Sequence, residues 1–127
     1  MKTVIITNLT QPSGKSIQAG YCASFLCQLR GLMFRESVPP GEGLLLVQKN
    51  EDKLSATIHM MFMRFDICAV WINKACEVVD VRYARRWGLA FAPRAAASYV
   101  LELNTVHIND FSIGDKVKID ESLPATR

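Results

Sequence analysis

The longest unbroken apolar run, Ile67 to Ile72, limits what this chain can build. A membrane-spanning helix needs about 20 such residues, so no span is expected and the run reads as a strand. Cys76 to Arg82 follows after Asn73-Lys74-Ala75, and the two segments read as a hairpin. A two-residue turn at Asn73-Lys74 sets Cys68 opposite Val79 and Cys76 opposite Trp71; a three-residue turn shifts this by one. Neither register pairs Cys68 with Cys76, which argues against a disulfide across the hairpin.

The other segments are short. Lys2 to Thr7 reads as a β-branched first strand, and Ile17 to Tyr21 as a second. Leu44 to Val47, Leu54 to Met63, Tyr99 to Leu103 and Lys116 to Asp120 read as further strands. Cys22 to Met33 carries apolar residues at helical spacing: Cys22, Phe25, Leu26, Leu29, Leu32 and Met33. That predicts an amphipathic helix over about 22–33, weakened by Gly31. A second short helix is expected over about 105–111, capped by Asn104 or Thr105. Tyr83 to Ser98 reads as irregular, and residues 121–127 as a loose tail after a single domain of residues 1–120. The expected fold class is mainly β (α+β): a small barrel-like domain with one amphipathic helix.

At 127 residues a two-domain enzyme is disfavoured. Half the residues are hydrophobic and 21% charged, which excludes a disordered polymer. Only Val4, Ile5 and Ile6 follow Met1-Lys2-Thr3, too few for an apolar signal core. A cytoplasmic location is therefore expected, with Cys22, Cys27, Cys68 and Cys76 as free thiols. No Cys-x-x-Cys pair points to zinc, and neither a metal nor another cofactor is called for.

The run Leu29-Arg30-Gly31-Leu32-Met33-Phe34-Arg35-Glu36 resembles the arginine-glycine-leucine-methionine signature of the domain of unknown function 192 family. Glu42 to Val47, Phe65-Asp66-Ile67, Tyr99 to Leu103 and Ile113 to Val117 follow in the family's order, so the resemblance covers roughly residues 16–120. His59-Met60-Met61-Phe62-Met63 stands where the family often carries a tryptophan-methionine-lysine-asparagine-threonine segment. The resemblance implies a small mainly-β barrel-like domain with a helix packed on it. It implies no activity, because a fold does not specify a function.

Several motifs invite a chemical reading. Ser13-Gly14-Lys15-Ser16 looks like the end of a phosphate-binding loop, but the glycine required five residues before Gly14 is Leu9. As a strand, residues 59–63 would put His59, Met61 and Met63 on one face, a soft-metal set or plain core packing. Arg82, Arg85, Arg86, Trp87 and Arg94 mix cations with an aromatic, as a nucleic-acid loop would. A net charge of +3 ranks nucleic acid low among partners. Asp66 and Glu102 are carboxylates in apolar sequence: either a general acid with a raised pKa, or structural groups. In the structural reading Asp66 caps a turn and Glu102 pairs with Arg30.

With only His59 and His107 as bases and no nucleophile elbow, an enzyme is disfavoured and no catalytic residue is assigned. The leading expectation is a non-catalytic binding or accessory module with a cleft at Arg30, His59, Met61, Met63, Arg64, Asp66 and Glu102. Its partner would be a small molecule, or an extended peptide on an exposed strand edge. The alternatives are a small hydrolase using Asp66 or Glu102 with His59, and a nucleic-acid accessory protein using the Arg82 to Arg94 loop.

Overall fold

The computed structural model describes residues 1–11 and 16–121. Seven strands form one sheet: β1 (Thr3–Asn8), β2 (Ser16–Cys22), β3 (Glu42–Asp52), β4 (Ile67–Ile72), β5 (Val78–Ala84), β6 (Ala97–Leu103) and β7 (Val117–Glu121). Their spatial order is β5-β4-β6-β3-β2-β1-β7. All neighbours are antiparallel except β2 and β3. A parallel pair needs a long crossover. Here the crossover contains the one α-helix among the described residues, α1 (Phe25–Arg30).

The expected barrel is corrected to an open, curled sheet. Among the described residues its outer strands, β5 and β7, are joined by an isolated bridge between Glu77 and Lys116, just before each strand, and by the backbone bonds beside it. Curling gives each face its own core. On one face β1, β2 and β7 fold over toward β4 and β6, burying Val4, Ile6, Val70 and Leu101 together. On the other, the segments between α1 and β3 and between β3 and β4 cover Leu44, Leu46, Ala69, Trp71 and Val100. β4 is buried at all six positions because it serves both cores, so its sequence is continuously apolar.

The helix expected over about 22–33 shrinks to six residues. Cys22 belongs to β2, and the Ser24 hydroxyl caps α1 by accepting from the Cys27 N–H at 3.1 Å. Gly31 ends it with φ +50°, a left-handed conformation that glycine tolerates without a side-chain penalty. Phe25, Leu26 and Leu29 remain exposed, so the helical stripe is not a core face. The second helix is a single 3-10 turn, Thr105–His107, capped by Asn104. His107 pins it: Nε2 accepts from the Gly41 N–H at 2.9 Å, leaving Nδ1 to donate to Asp110 at 2.8 Å.

Two β expectations also change. Residues 54–63 are turn and loop, with an isolated bridge from Ile58 to Phe91 and further hydrogen bonds to Phe34, Trp71, Trp87 and Gly88. They are apolar because they cover the face of the sheet, not because they pair within it. In the hairpin, Cys68 faces Tyr83 and Trp71 faces Asp80, a register set by a longer loop. The Asn73 side chain accepts from the Glu77 N–H, and Cys76 takes φ +62°. Residues 13–15 of the phosphate-loop-like motif lie outside the described residues. The expected tail loses Glu121 to β7, and its remainder also lies outside them.

The thiols are not all free. Cys22, at the end of β2, and Cys27, in α1, form a disulfide with Cα atoms 5.6 Å apart; Cys68 and Cys76 are unbonded. The N-cap turn at Ser24 reverses the chain and brings the two together. The bond ties α1 to the sheet, and closing so short a loop is worth about 2 kcal/mol in chain entropy. Reduction, or Cys27→Ser, should therefore lower the thermal midpoint by several degrees. Differential scanning calorimetry with and without dithiothreitol measures this, and equal midpoints would show that the bond does not support the fold.

Among the described residues, no helix is long and apolar enough to cross a membrane.

Candidate functional site

A cavity of about 220 Å³ lies beneath α1, on the face of the sheet opposite β1 and β7. Its roof is Gln28 to Met33, one wall is the 55–63 segment, and its floor is Leu46 and Gln48 of β3 with Glu102 of β6. The parts meet there for local reasons. Gln28 Nε2 donates to the carbonyls of Cys22 (3.2 Å) and Val47 (2.6 Å), seating α1 on the end of β2 and the middle of β3. The Trp71 indole N–H donates to the Ala56 carbonyl at 2.7 Å, fixing the loop that carries His59, Met60 and Met63.

Glu102 is the unusual member. On β6 it alternates with Leu101 and Leu103, which face the other core, so its side chain points to the α1 side. Its cross-strand neighbours are Leu44 and Ala69. It is 6% exposed, yet among the described residues its carboxyl has no hydrogen-bond or ion-pair partner. Removal from water, with no compensating charge, pushes its pKa up to about 7. The expected pairing with Arg30 is not formed: Arg30 is exposed on the rim.

Arg30, His59, Met63 and Glu102 therefore line one cavity, while Met61, Arg64 and Asp66 lie outside its lining. Met61 is exposed and Met63 is buried at 3%, so the shared face proposed for His59, Met61 and Met63 disappears with the strand that would have created it. Among the described residues no cluster of three or more His, Cys, Asp or Glu is arranged to hold a metal ion.

Asp66 ties the β5–β6 connection to the start of β4. It accepts from Tyr83 Oη (2.7 Å) and from the backbone N–H and Nε of Arg86 (both 2.9 Å). These bonds, the Arg86 guanidinium first, hold its carboxyl well below the usual carboxylate range. Arg86 is thereby engaged. Arg82 lies 3.5 Å from Asp80, donates to the Ala92 carbonyl and covers the Trp71 ring. The Arg94 backbone N–H donates to Asp80 at 3.1 Å. Arg85 and Trp87 are exposed.

One feature gave little signal in the sequence. Phe34, Phe62 and Trp87 come from three loops and touch, with ring centroids 5.5 and 5.2 Å apart. All three have positive φ, and all are at least 43% exposed. Backbone bonds explain the grouping: the Phe34 N–H donates to the Phe62 carbonyl and the Trp87 N–H to the Met60 carbonyl. Strained backbone of this kind costs of order 1 kcal/mol or more per residue and persists only where its surroundings enforce it. A broader groove of about 660 Å³ flanks α1 on its other side, with Arg30 and Gly31 as the shared ridge, but Glu102 is not part of it.

Fold and cavity define a small β domain built on one curled sheet, with a cavity under its crossover helix. Residues 7–119 match the family model described as DUF192, Uncharacterized ACR, COG1430, and the chain belongs to that family. It is similar to UPF0127 proteins of Thermococcus gammatolerans (35% identity, 76% of this chain and 63% of that one) and Thermococcus kodakarensis (38%, 62% and 48%). A third, from Pyrococcus furiosus, is 27% identical over 87% of this chain and 94% of its own. The matches to the two Thermococcus relatives thus span about half to just under two thirds of their length.

Two crystal structures share the fold at 20% identity. One is a Sinorhizobium meliloti protein described as a candidate transcription regulator (TM-score 0.77, 93% of this chain and 92% of that one). The other is a Novosphingobium aromaticivorans protein of unknown function (TM-score 0.79, 91% and 83%).

Proposed function

We propose that this domain is a non-catalytic ligand-binding module and that the cavity beneath α1 is its site. The observation that carries the reading is the largely buried Glu102 carboxyl, which lines that cavity and, among the described residues, has no hydrogen-bond or ion-pair partner. A buried polar group ordinarily finds a hydrogen bond within the protein, and leaving it unmade costs about 1–3 kcal/mol. Such a group persists where a ligand completes it. The lining supports the reading: apolar surface from Leu32, Leu46, Met60 and Met63, with few polar groups, is the usual composition of a small-molecule site.

A hydrolase reading is less well supported, because Asp66 is committed to Arg86 and Tyr83 outside the cavity. A nucleic-acid reading is also less well supported, since Arg82 and Arg86 are occupied by Asp80 and Asp66. Methyl-detected NMR with a small-fragment library tests the proposal. Fragments should move the Met60 and Met63 signals. Silent methyls, with shifts confined to residues 82–94 on adding duplex DNA, would transfer the function to that loop.

A further inference from the structure

Much of the spare hydrogen-bonding capacity around the cavity is that of acceptors. Both Gln28 amide hydrogens are committed to backbone carbonyls, which leaves its oxygen as the free group. The Thr57 hydroxyl donates to the Lys53 carbonyl, so only its lone pairs remain. Glu102 adds a carboxyl that accepts no hydrogen bond among the described residues. Donors are present too: His59, whose Nδ1 accepts from the Met61 N–H, has Nε2 left to donate, Gln48 on the floor carries a side-chain amide, and the Arg30 guanidinium lies on the rim. Three acceptors, the Glu102 carboxyl foremost, beside the apolar Leu46, Met60 and Met63 match a group with several donors, a positive charge and a short apolar body, and an ammonium has three N–H donors and no acceptor.

We propose that the ligand is an organic ammonium compound whose charged head pairs with Glu102 and whose short apolar body packs on Leu46, Met60 and Met63. This rests on the ligand-binding reading above and deepens it. Pairing would supply the counter-charge that the protein itself does not, and a charge-assisted bond of this kind is about twice as strong as a neutral one. Arg30 lines the same cavity but is exposed and, among the described residues, forms no ion pair with Glu102.

The test titrates the whole chain at pH 8 with n-butylammonium, n-butanol and butyrate, three probes of nearly one shape. An alkylammonium remains protonated there, as lysine does. The expected result is ammonium binding at least about tenfold tighter than the alcohol. Butyrate should not bind, and the preference should vanish in Glu102→Gln. The wild-type comparison needs no variant, so it stands even if that substitution unfolds the chain. Equal binding of ammonium and alcohol at Met60 and Met63, or tighter butyrate, would overturn the ammonium assignment and leave the cavity reading intact. No response to any probe would overturn both.

Discussion

Glu102→Gln should make the protein more stable at pH 8 relative to wild type than it does at pH 4, by about 3 kcal/mol. The sign follows from linkage. Burial raises the Glu102 pKa from 4.5 in the unfolded chain to about 7 in the folded one. Between those values the native state holds a proton that the unfolded state has released. Stability from this group is therefore fully present below about 4.5 and is lost as pH rises through 7. Glutamine does not titrate, so the variant lacks that slope. Asp66 acts in a separate window: its depressed pKa contributes stability above the ordinary carboxylate range that is lost in acid. Urea unfolding of both chains at pH 4, 6 and 8 measures the difference. Parallel stability profiles would show that Glu102 is not buried uncompensated. A destabilising carboxylate retained at the floor of a cavity is the kind of cost that proteins carry at functional sites.

Glu102 also shows how far the sequence carries. A carboxylate within Tyr99-Val100-Leu101-Glu102-Leu103 was legible as an anomaly from its flanks alone. Its lack of a partner was not, because Arg30 does line the same cavity but, at the helix end that Gly31 closes, remains exposed and unpaired with it among the described residues. The strands were legible where β-branched residues fill a layer, as at Ile67 to Ile72. They were not legible at residues 54–63, where a loop must be apolar to cover the sheet and so imitates a strand. The helical stripe misled for the converse reason. Phe25, Leu26 and Leu29 have the periodicity of a buried face but remain in solvent, since period reports which residues share a side and not what covers it. The disulfide escaped because Cys22 and Cys27 meet only through a capped turn that no spacing rule encodes. The barrel expectation failed at one place, the contact between β5 and β7, which stops after an isolated bridge and the backbone bonds beside it.

Trp71→Phe should cost about 3 kcal/mol of global stability and loosen the wall of the cavity. Trp71 is completely buried in the α1-side core, and its indole N–H is the donor to the Ala56 carbonyl. Phenylalanine removes part of the ring, leaving unfilled volume, and orphans that carbonyl; the two losses act at one spot. Ala56 begins the stretch that delivers Ile58, His59, Met60 and Met63 to the site, so the damage should spread along the loop and spare the distant β1–β7 pair. Hydrogen exchange reads this directly: the amides of Ile58 and Met60, bonded to the Phe91 and Gly88 carbonyls, should lose protection before those of β1. Fluorescence offers an independent check, because the remaining tryptophan, Trp87, is exposed and should leave a red-shifted emission. A uniform loss of protection across the sheet would make Trp71 an ordinary core residue. Selective loss in the 56–60 stretch, together with weakened n-butylammonium binding, would make it the residue through which the sheet holds the cavity in shape.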